Sequence, residues 1–378
     1  MSNRLVSDES DKRIDAGAIH ALMYQPFALL LKASLLGEAL TQTASAKMLT
    51  DKKPNFFIVG APKCGTTALA HYLSTHPQIY MARKEMHFFG SDLHLGPQFY
   101  RRDRDAYLAE FEDCKGQPCI GESSVWYLFS RNAAREIKAF SPDARIIIML
   151  REPVSMLSAL YSAFRADGNE HLPTFREALE AEDDRRAGCQ IGRRAYLAQG
   201  LVYREVPRFA EQVQRYFDVF GRERVHVIIY DDFNLDTSRA YYQTLGFLGL
   251  SLEGGAPAFK RVNANVNGDE SVRFPLIRDV LNDPLVRGTV IKLRGLLPHP
   301  VFAWVQKQGL RLNASNFVQS PSRRPPLPPD LKISLQRELA PEVERLSALL
   351  GRDLTGWSKP DEGAGWLSNI KGAVPILA

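Results

Sequence analysis

NFFIVGAPKCGTTALAHYL, residues 55–73, decides the reading of this chain. Apolar residues lead into a turn bounded by Gly60 and Gly65, and Thr66 opens a helical pattern with Leu69, Tyr72 and Leu73 at helical spacing. A strand, a glycine-bounded turn and a helix in that order make a nest for an anion, because backbone N–H groups and the positive end of the helix converge on one point. The glycine spacing is that of a P-loop, with one displacement. A nucleotide triphosphatase carries lysine directly after the second glycine. Here Thr66 holds that place and Lys63 lies inside the turn.

Four more apolar runs follow the one at 56–59, at 79–81, 119–121, 146–150 and 225–230. Runs that are apolar on both faces suit a parallel sheet covered by helices. Helical patterns at 66–74, 153–165, 204–220 and 238–250 supply the cover, and Pro153 suits a first helical turn. The alternation predicts an α/β fold: a P-loop-like, doubly wound sheet of about five parallel strands flanked by helices. Further on, QSPSRRPPLPPD (319–330) reads as an extended proline-rich connector. A helix through Leu339 and another from Pro341 to the stop at Gly351 come after it.

Ligands bind open parallel sheets at the carboxyl ends of the strands. That edge should therefore gather the glycine turn, then Lys84, Glu85 and His87, then Glu122, Ser123 and Ser124, then Arg151, then Asp231 and Asp232. A triphosphatase needs a strand-end Asp for magnesium, whereas the fourth strand here runs into Arg151. A guanidinium fork suits a phosphate, and the helix starting at Pro153 should point its positive end nearby. Ser155, Ser158 and Ser162 fall on one face of that helix. Two phosphate sites on one rim fit a nucleotide phosphorylated at both its 5′ and 3′ positions.

The 378 residues are 45% hydrophobic and 24% charged, the balance of a globular protein. A net charge of +5 favours anionic ligands, but with no long Lys/Arg block and no aromatic-plus-basic motif it argues against nucleic acid. Cys64, Cys114, Cys119 and Cys189 show neither CxxC nor zinc spacing and read as thiols of a reducing, cytoplasmic compartment. Residues 1–17 are too acidic for a signal-peptide start. The apolar stretch after them is interrupted by His20, Gln25, Pro26 and Lys32, so it is not an unbroken membrane span. Residues 1–50 are read as a helical extension packing on the body or on a second subunit, with a helix lying on a membrane surface as the alternative. Peripheral membrane contact and a homo-oligomer both stay open. Residues 51–358 are read as one domain and 359–378 as a tail.

GAPKCGTTAL, RKEMHFF and LREPVSMLSALYS, in that order, resemble the sulfotransferase family that uses 3′-phosphoadenosine-5′-phosphosulfate (PAPS). The first resembles the family's 5′-phosphosulfate loop and the third its 3′-phosphate segment. The second resembles the Glu-x-His-Phe-Phe segment of the branch containing heparan-type carbohydrate sulfotransferases and many bacterial relatives. Similarity covers about residues 54–357. The resemblance implies PAPS as co-substrate without a metal, and a small-molecule, glycan or lipid acceptor. It assigns Lys63 to the bridging oxygen of the phosphosulfate, and Gly65, Thr66 and Thr67 to the 5′-phosphate, with Cys64 a small residue fitting the same binding turn. Arg151 goes to the 3′-phosphate, Glu85 to the general base and His87 to its companion. The family's serine on the 3′-phosphate is replaced by Ala159, leaving Ser158 or Ser162 to stand in, and Ser123 holds the place of a lysine in heparan-type members. Glu122 either braces the site or touches acceptor; Tyr203 is either core or close to the adenine. Lys260, Arg261 and Arg273 either close over the 3′-phosphate or form a basic surface. The rival readings are a P-loop kinase or NTPase and a non-catalytic nucleotide-binding protein.

Overall fold

The computed structural model describes residues 52–82, 85–95, 103–193, 195–251, 259, 270–272, 317–319 and 326–359. Five strands, β1 (Phe56–Gly60), β2 (Ile79–Met81), β3 (Cys119–Ser123), β4 (Arg145–Leu150) and β5 (Val225–Ile229), pair in parallel in the order β2-β3-β1-β4-β5. Every residue of β1 and β3 is buried, which is why β1 reads as an unbroken apolar run and β3 begins as one. A short antiparallel pair, β6 (Glu270–Val272) with β7 (Phe317–Gln319), stands apart from the main sheet.

Ten helices are described: α1 (Thr66–Ser74), α2 (Arg104–Ala109), α3 (Ala133–Phe140), α4 (Pro153–Asp167), α5 (Phe175–Glu180), α6 (Glu182–Arg186), α7 (Phe209–Phe220), α8 (Tyr230–Leu235), α9 (Thr237–Phe247) and α10 (Pro329–Leu350). The chain leaves β1 toward β2 on one side and later reaches β4 and β5 on the other. Right-handed crossovers running in opposite directions put their helices on opposite faces. α1 accordingly packs with β1, β2 and α9, while α7 packs on β4 and β5 with α3 and α10 against it. This is the doubly wound α/β fold read from the sequence. Its switch point lies beside β1, so the turn after β1 stands where such sheets take ligands.

Several boundaries differ from the expectation. β3 continues through Ser123, so Glu122 and Ser123 belong to the strand and are buried there. β5 stops at Ile229, and Tyr230 already begins α8. The helix expected from 204 starts only at Phe209, after a 3₁₀ turn at Tyr203–Glu205 and Pro207, whose missing N–H interrupts the ladder. The two C-terminal helices are one, because α10 runs straight through Pro341. Leu335, Leu339, Val343 and Leu346 form a single buried stripe across the proline, and that packing outweighs one lost backbone hydrogen bond. The proline-rich connector is shorter than expected: Gln319 closes β7 and Pro329 opens α10. The N-terminal extension and the segment with Lys260, Arg261 and Arg273 lie outside the described residues.

Candidate active site

The turn after β1 is set by close packing. Gly60 has φ 152°, and a Cβ there would come within 2.7 Å of Leu128 Cβ and the Val125 carbonyl oxygen. Ser124 and Leu128 donate their N–H groups to the Ile58 and Val59 carbonyls, at 3.2 and 2.8 Å. The continuation of β3 is thus laid along the end of β1. Gly65, at φ 90°, is the N-cap of α1 and brings no side chain to the positive end of the helix. Lys63 adopts the left-handed backbone at φ 63° and is half-buried. Thr66 is buried and Thr67 exposed. The Cys64 side chain faces inward and bonds the Pro62 carbonyl; burial pushes its thiol up to about 12, so it offers a ligand its N–H and no thiolate.

Arg151 follows β4 directly, beside that turn. Its Nη1 lies 3.4 Å from the Lys63 carbonyl oxygen, and its guanidinium sits over the Tyr230 ring at 4.7 Å. The same ring closes the space at Gly65, where a Cβ would approach Tyr230 to 3.1 Å. Tyr230 was not among the expected site residues. It is a platform that joins turn and arginine. The neighbouring Glu152 does not pair with Arg151. It caps α4, accepting from the N–H groups of Val154 (2.9 Å) and Ser155 (2.6 Å). This corrects the expectation that the positive end of α4 serves the ligand, since a carboxylate already occupies it. Ser162 donates its hydroxyl to the Ser158 carbonyl at 3.0 Å, and Ala159 is buried. Ser158 and Ser155, both half-exposed, are left as the candidates on that helix.

Glu85 and His87 come together. His87 Nε2 lies 3.0 Å from Glu85 Oε2, with the histidine 3% and the glutamate 29% exposed on their side chains. A carboxylate held this way by an imidazole N–H is aimed, which is what a general base needs. His87 itself adopts φ 47°. Glu122 does not touch the open site. It is fully buried, and its carboxylate accepts from the hydroxyls of Ser124, Tyr127 and Tyr107 at 2.7, 2.7 and 2.6 Å. Burial raises its pKa, and the three hydroxyl bonds oppose the rise.

Two further readings are corrected. Asp231 accepts from the Trp357 indole at 3.0 Å, and Asp232 forms a forked pair with Arg352, so both carboxylates are engaged by the segment that follows α10 rather than left to a ligand. Tyr203 is fully buried and donates to Glu170 at 3.0 Å, a core role. Sequence reasoning also missed Tyr196. Its hydroxyl bonds Asp167 at 2.8 Å, its N–H is held by Asn169 at 2.7 Å, and the charge of Glu85 is one of the influences that raise its pKa, after burial and Asp167. A bridge between Leu95 and Leu197, and Gln199 bonded to His94 N and to the Asp92 carbonyl, fasten the Tyr196 segment beside the Glu85 segment.

A parallel sheet of this order, with a lysine-bearing glycine turn at its switch point and an arginine at the end of the adjacent strand, defines a doubly wound α/β protein with two basic residues on one rim. The chain belongs to the sulfotransferase domain family, whose pattern matches residues 53–267. Human carbohydrate sulfotransferase 15 is 26% identical over 311 residues, covering 66% of this chain and 54% of that protein. Human heparan sulfate glucosamine 3-O-sulfotransferase 6 is 34% identical over 123 residues, 32% of this chain and 34% of that one. This chain therefore spans only about half, or less, of the curated relatives it matches. The crystal structure of a sulfotransferase from Alicyclobacillus acidocaldarius superposes with a TM-score of 0.58 and 31% identity, over 81% of this chain and 99% of that chain.

Proposed function

We propose that this protein transfers a sulfuryl group from PAPS to a hydroxyl, with an amine as the second choice, of a saccharide, lipid or secondary-metabolite acceptor. One observation carries the reading: the Arg151 guanidinium borders the lysine-bearing turn on a single rim, 3.4 Å from the backbone carbonyl of Lys63. A nucleotide with anions on both sides of its ribose suits that pair. In this reading the turn from Lys63 to Thr67 holds the 5′ side and Arg151, steadied by Tyr230 and helped by Ser158, holds the 3′-phosphate. Glu85 takes the proton of the acceptor hydroxyl while the acceptor oxygen bonds to sulfur. The bond from sulfur to the bridging oxygen breaks, its electron pair stays with the departing phosphate, and Lys63 offsets the charge that grows there. His87 keeps Glu85 aimed. Ser123 stands where heparan-type members carry lysine, which favours an acceptor that does not need that cation. All four cysteines are free thiols, in keeping with a reducing, cytoplasmic compartment.

Calorimetry tests the donor site. Adenosine 3′,5′-bisphosphate is expected to bind much more tightly than AMP, and Arg151→Ala to remove most of that preference. Equal affinities for the two nucleotides in the wild type would sink the reading. Screening acceptors with labelled PAPS then identifies the second substrate.

A further inference from the structure

Beneath the Glu85–His87 pair lies a relay whose direction is fixed by chemistry. The N–H groups of Met86 and His87 donate to Ser124 Oγ at 3.0 and 3.1 Å. Those of Phe88 and Phe89 donate to the Tyr127 hydroxyl at 2.8 and 3.3 Å. A backbone N–H cannot accept, so each hydroxyl must turn its single proton elsewhere. Both protons go to one atom, Glu122 Oε1, at 2.7 Å each. Tyr107 donates to the other oxygen at 2.6 Å, and its ring stacks on Phe88 with centroids 4.1 Å apart. A single buried carboxylate therefore orders the hydroxyls that hold four consecutive backbone amides. The held segment includes His87, whose left-handed backbone is costly for a non-glycine residue and persists only when its surroundings impose it. Glu122 reaches no part of the open rim itself.

We infer that Glu122 is the positioning residue of the transfer centre: through Ser124 and Tyr127 it fixes the backbone from Met86 to Phe89 and so aims the Glu85 carboxylate. The inference rests on the sulfotransferase reading only for what the aimed carboxylate does. The donor turn is held by the backbone N–H groups of Ser124 and Leu128, whereas the Ser124 and Tyr127 hydroxyls bond the Met86–Phe89 amides and Glu122, so cutting those hydroxyls acts on the acceptor side of the centre and leaves nucleotide binding alone. A polar core network without that role would act on stability rather than on one half of the chemistry.

Removing Glu122 would strand three buried hydroxyls and threatens folding, so the relay is cut at its outer links. Ser124→Ala and Tyr127→Phe are compared with Ser124→Thr, which keeps a hydroxyl. Hydrolysis of PAPS, with water taking the place of the acceptor hydroxyl and labelled sulfate as the product, is expected to slow about 10²-fold in the first two, the scale of a small misplacement of a reacting group. The Kd for adenosine 3′,5′-bisphosphate should stay at its wild-type value, and Ser124→Thr should recover most of the rate. Wild-type rates in both cut variants, or a bisphosphate Kd that weakens in step with the rate, would overturn the proposal. Amide exchange is read on the same proteins. Faster exchange confined to Met86–Phe89 is expected, and unchanged exchange there overturns the proposal whether or not the chain turns over PAPS. A wild-type chain that fails to bind the bisphosphate sinks the donor reading instead, and the exchange test still judges the relay.

Discussion

Glu85 and Tyr230 show how differently a single side chain can matter at one rim. Glu85 lies against His87 at 3.0 Å and is part of no phosphate-binding turn, so its proposed task is proton transfer and not donor binding. Glu85→Gln keeps the shape and loses the basicity. Transfer should fall by about 10²–10⁴, the usual worth of a positioned base, with the Kd for adenosine 3′,5′-bisphosphate unchanged. Full activity in this variant would remove Glu85 from the role. Tyr230 makes the opposite prediction. Its ring lies under the Arg151 guanidinium and against Gly65, so it steadies a binding group and no reacting one. Tyr230→Ala should weaken bisphosphate binding by about 0.5–2 kcal/mol, the range for a cation over an aromatic face, and leave AMP binding nearly as it was. A loss shared equally by both nucleotides would place the ring's effect in the turn and not in the arginine.

Elements explain what the sequence displayed and what it hid. The five strands were legible because each is a short apolar run whose polar break marks the sheet edge, and the glycine turn because its spacing is local. Lys63, Glu85, His87 and Arg151 were legible for the same reason: each directly follows a strand or lies in the turn after one. Tyr127 and Tyr107 were not, because their bonds to the Glu85 segment and to Glu122 join residues that no local pattern links. Asp231 and Asp232 misled because a strand-end carboxylate looks the same whether it meets a ligand or, as here, Trp357 and Arg352. The division expected at Pro341 fails because the buried stripe from Leu335 to Leu346 crosses the proline and holds one helix together. That helix can be tested directly. Pro341→Ala restores an N–H for the ladder, which proline denies it, while returning some freedom to the unfolded chain. The net gain should be about 1–2 kcal/mol, seen as a melting point raised by a few degrees with bisphosphate binding unaltered. A melting point lowered by this change would mean that the chain needs a break at that position.

Across the whole molecule, acid tolerance is a contest between buried groups of opposite sign. His226, on β5, stacks on Phe247 with ring centroids 5.1 Å apart, and its Nε2 is buried with no hydrogen-bond partner. Burial lowers its pKa from 6.5 to about 4. In the unfolded chain it takes up a proton below about 6.5, whereas the folded protein resists until about pH 4. The unfolded state therefore binds more protons in that window, and His226 withdraws stability as the pH falls through it. Glu122 and Glu182 act the other way. Burial raises both, so the folded state holds their protons longer, and their contribution is fully present below the ordinary carboxylate range and lost as the pH rises through their folded values. The net pH dependence mixes the two, but a difference between variants isolates one. His226→Phe keeps a ring against Phe247 and removes the titration. Between pH 7 and pH 4.5 the wild type should lose about 2–3 kcal/mol more than this variant, measured by denaturant unfolding at each pH. Parallel curves for the two proteins would show that the ring takes up its proton in the folded state as easily as in water, and that the edge strand carries no acid-sensitive group.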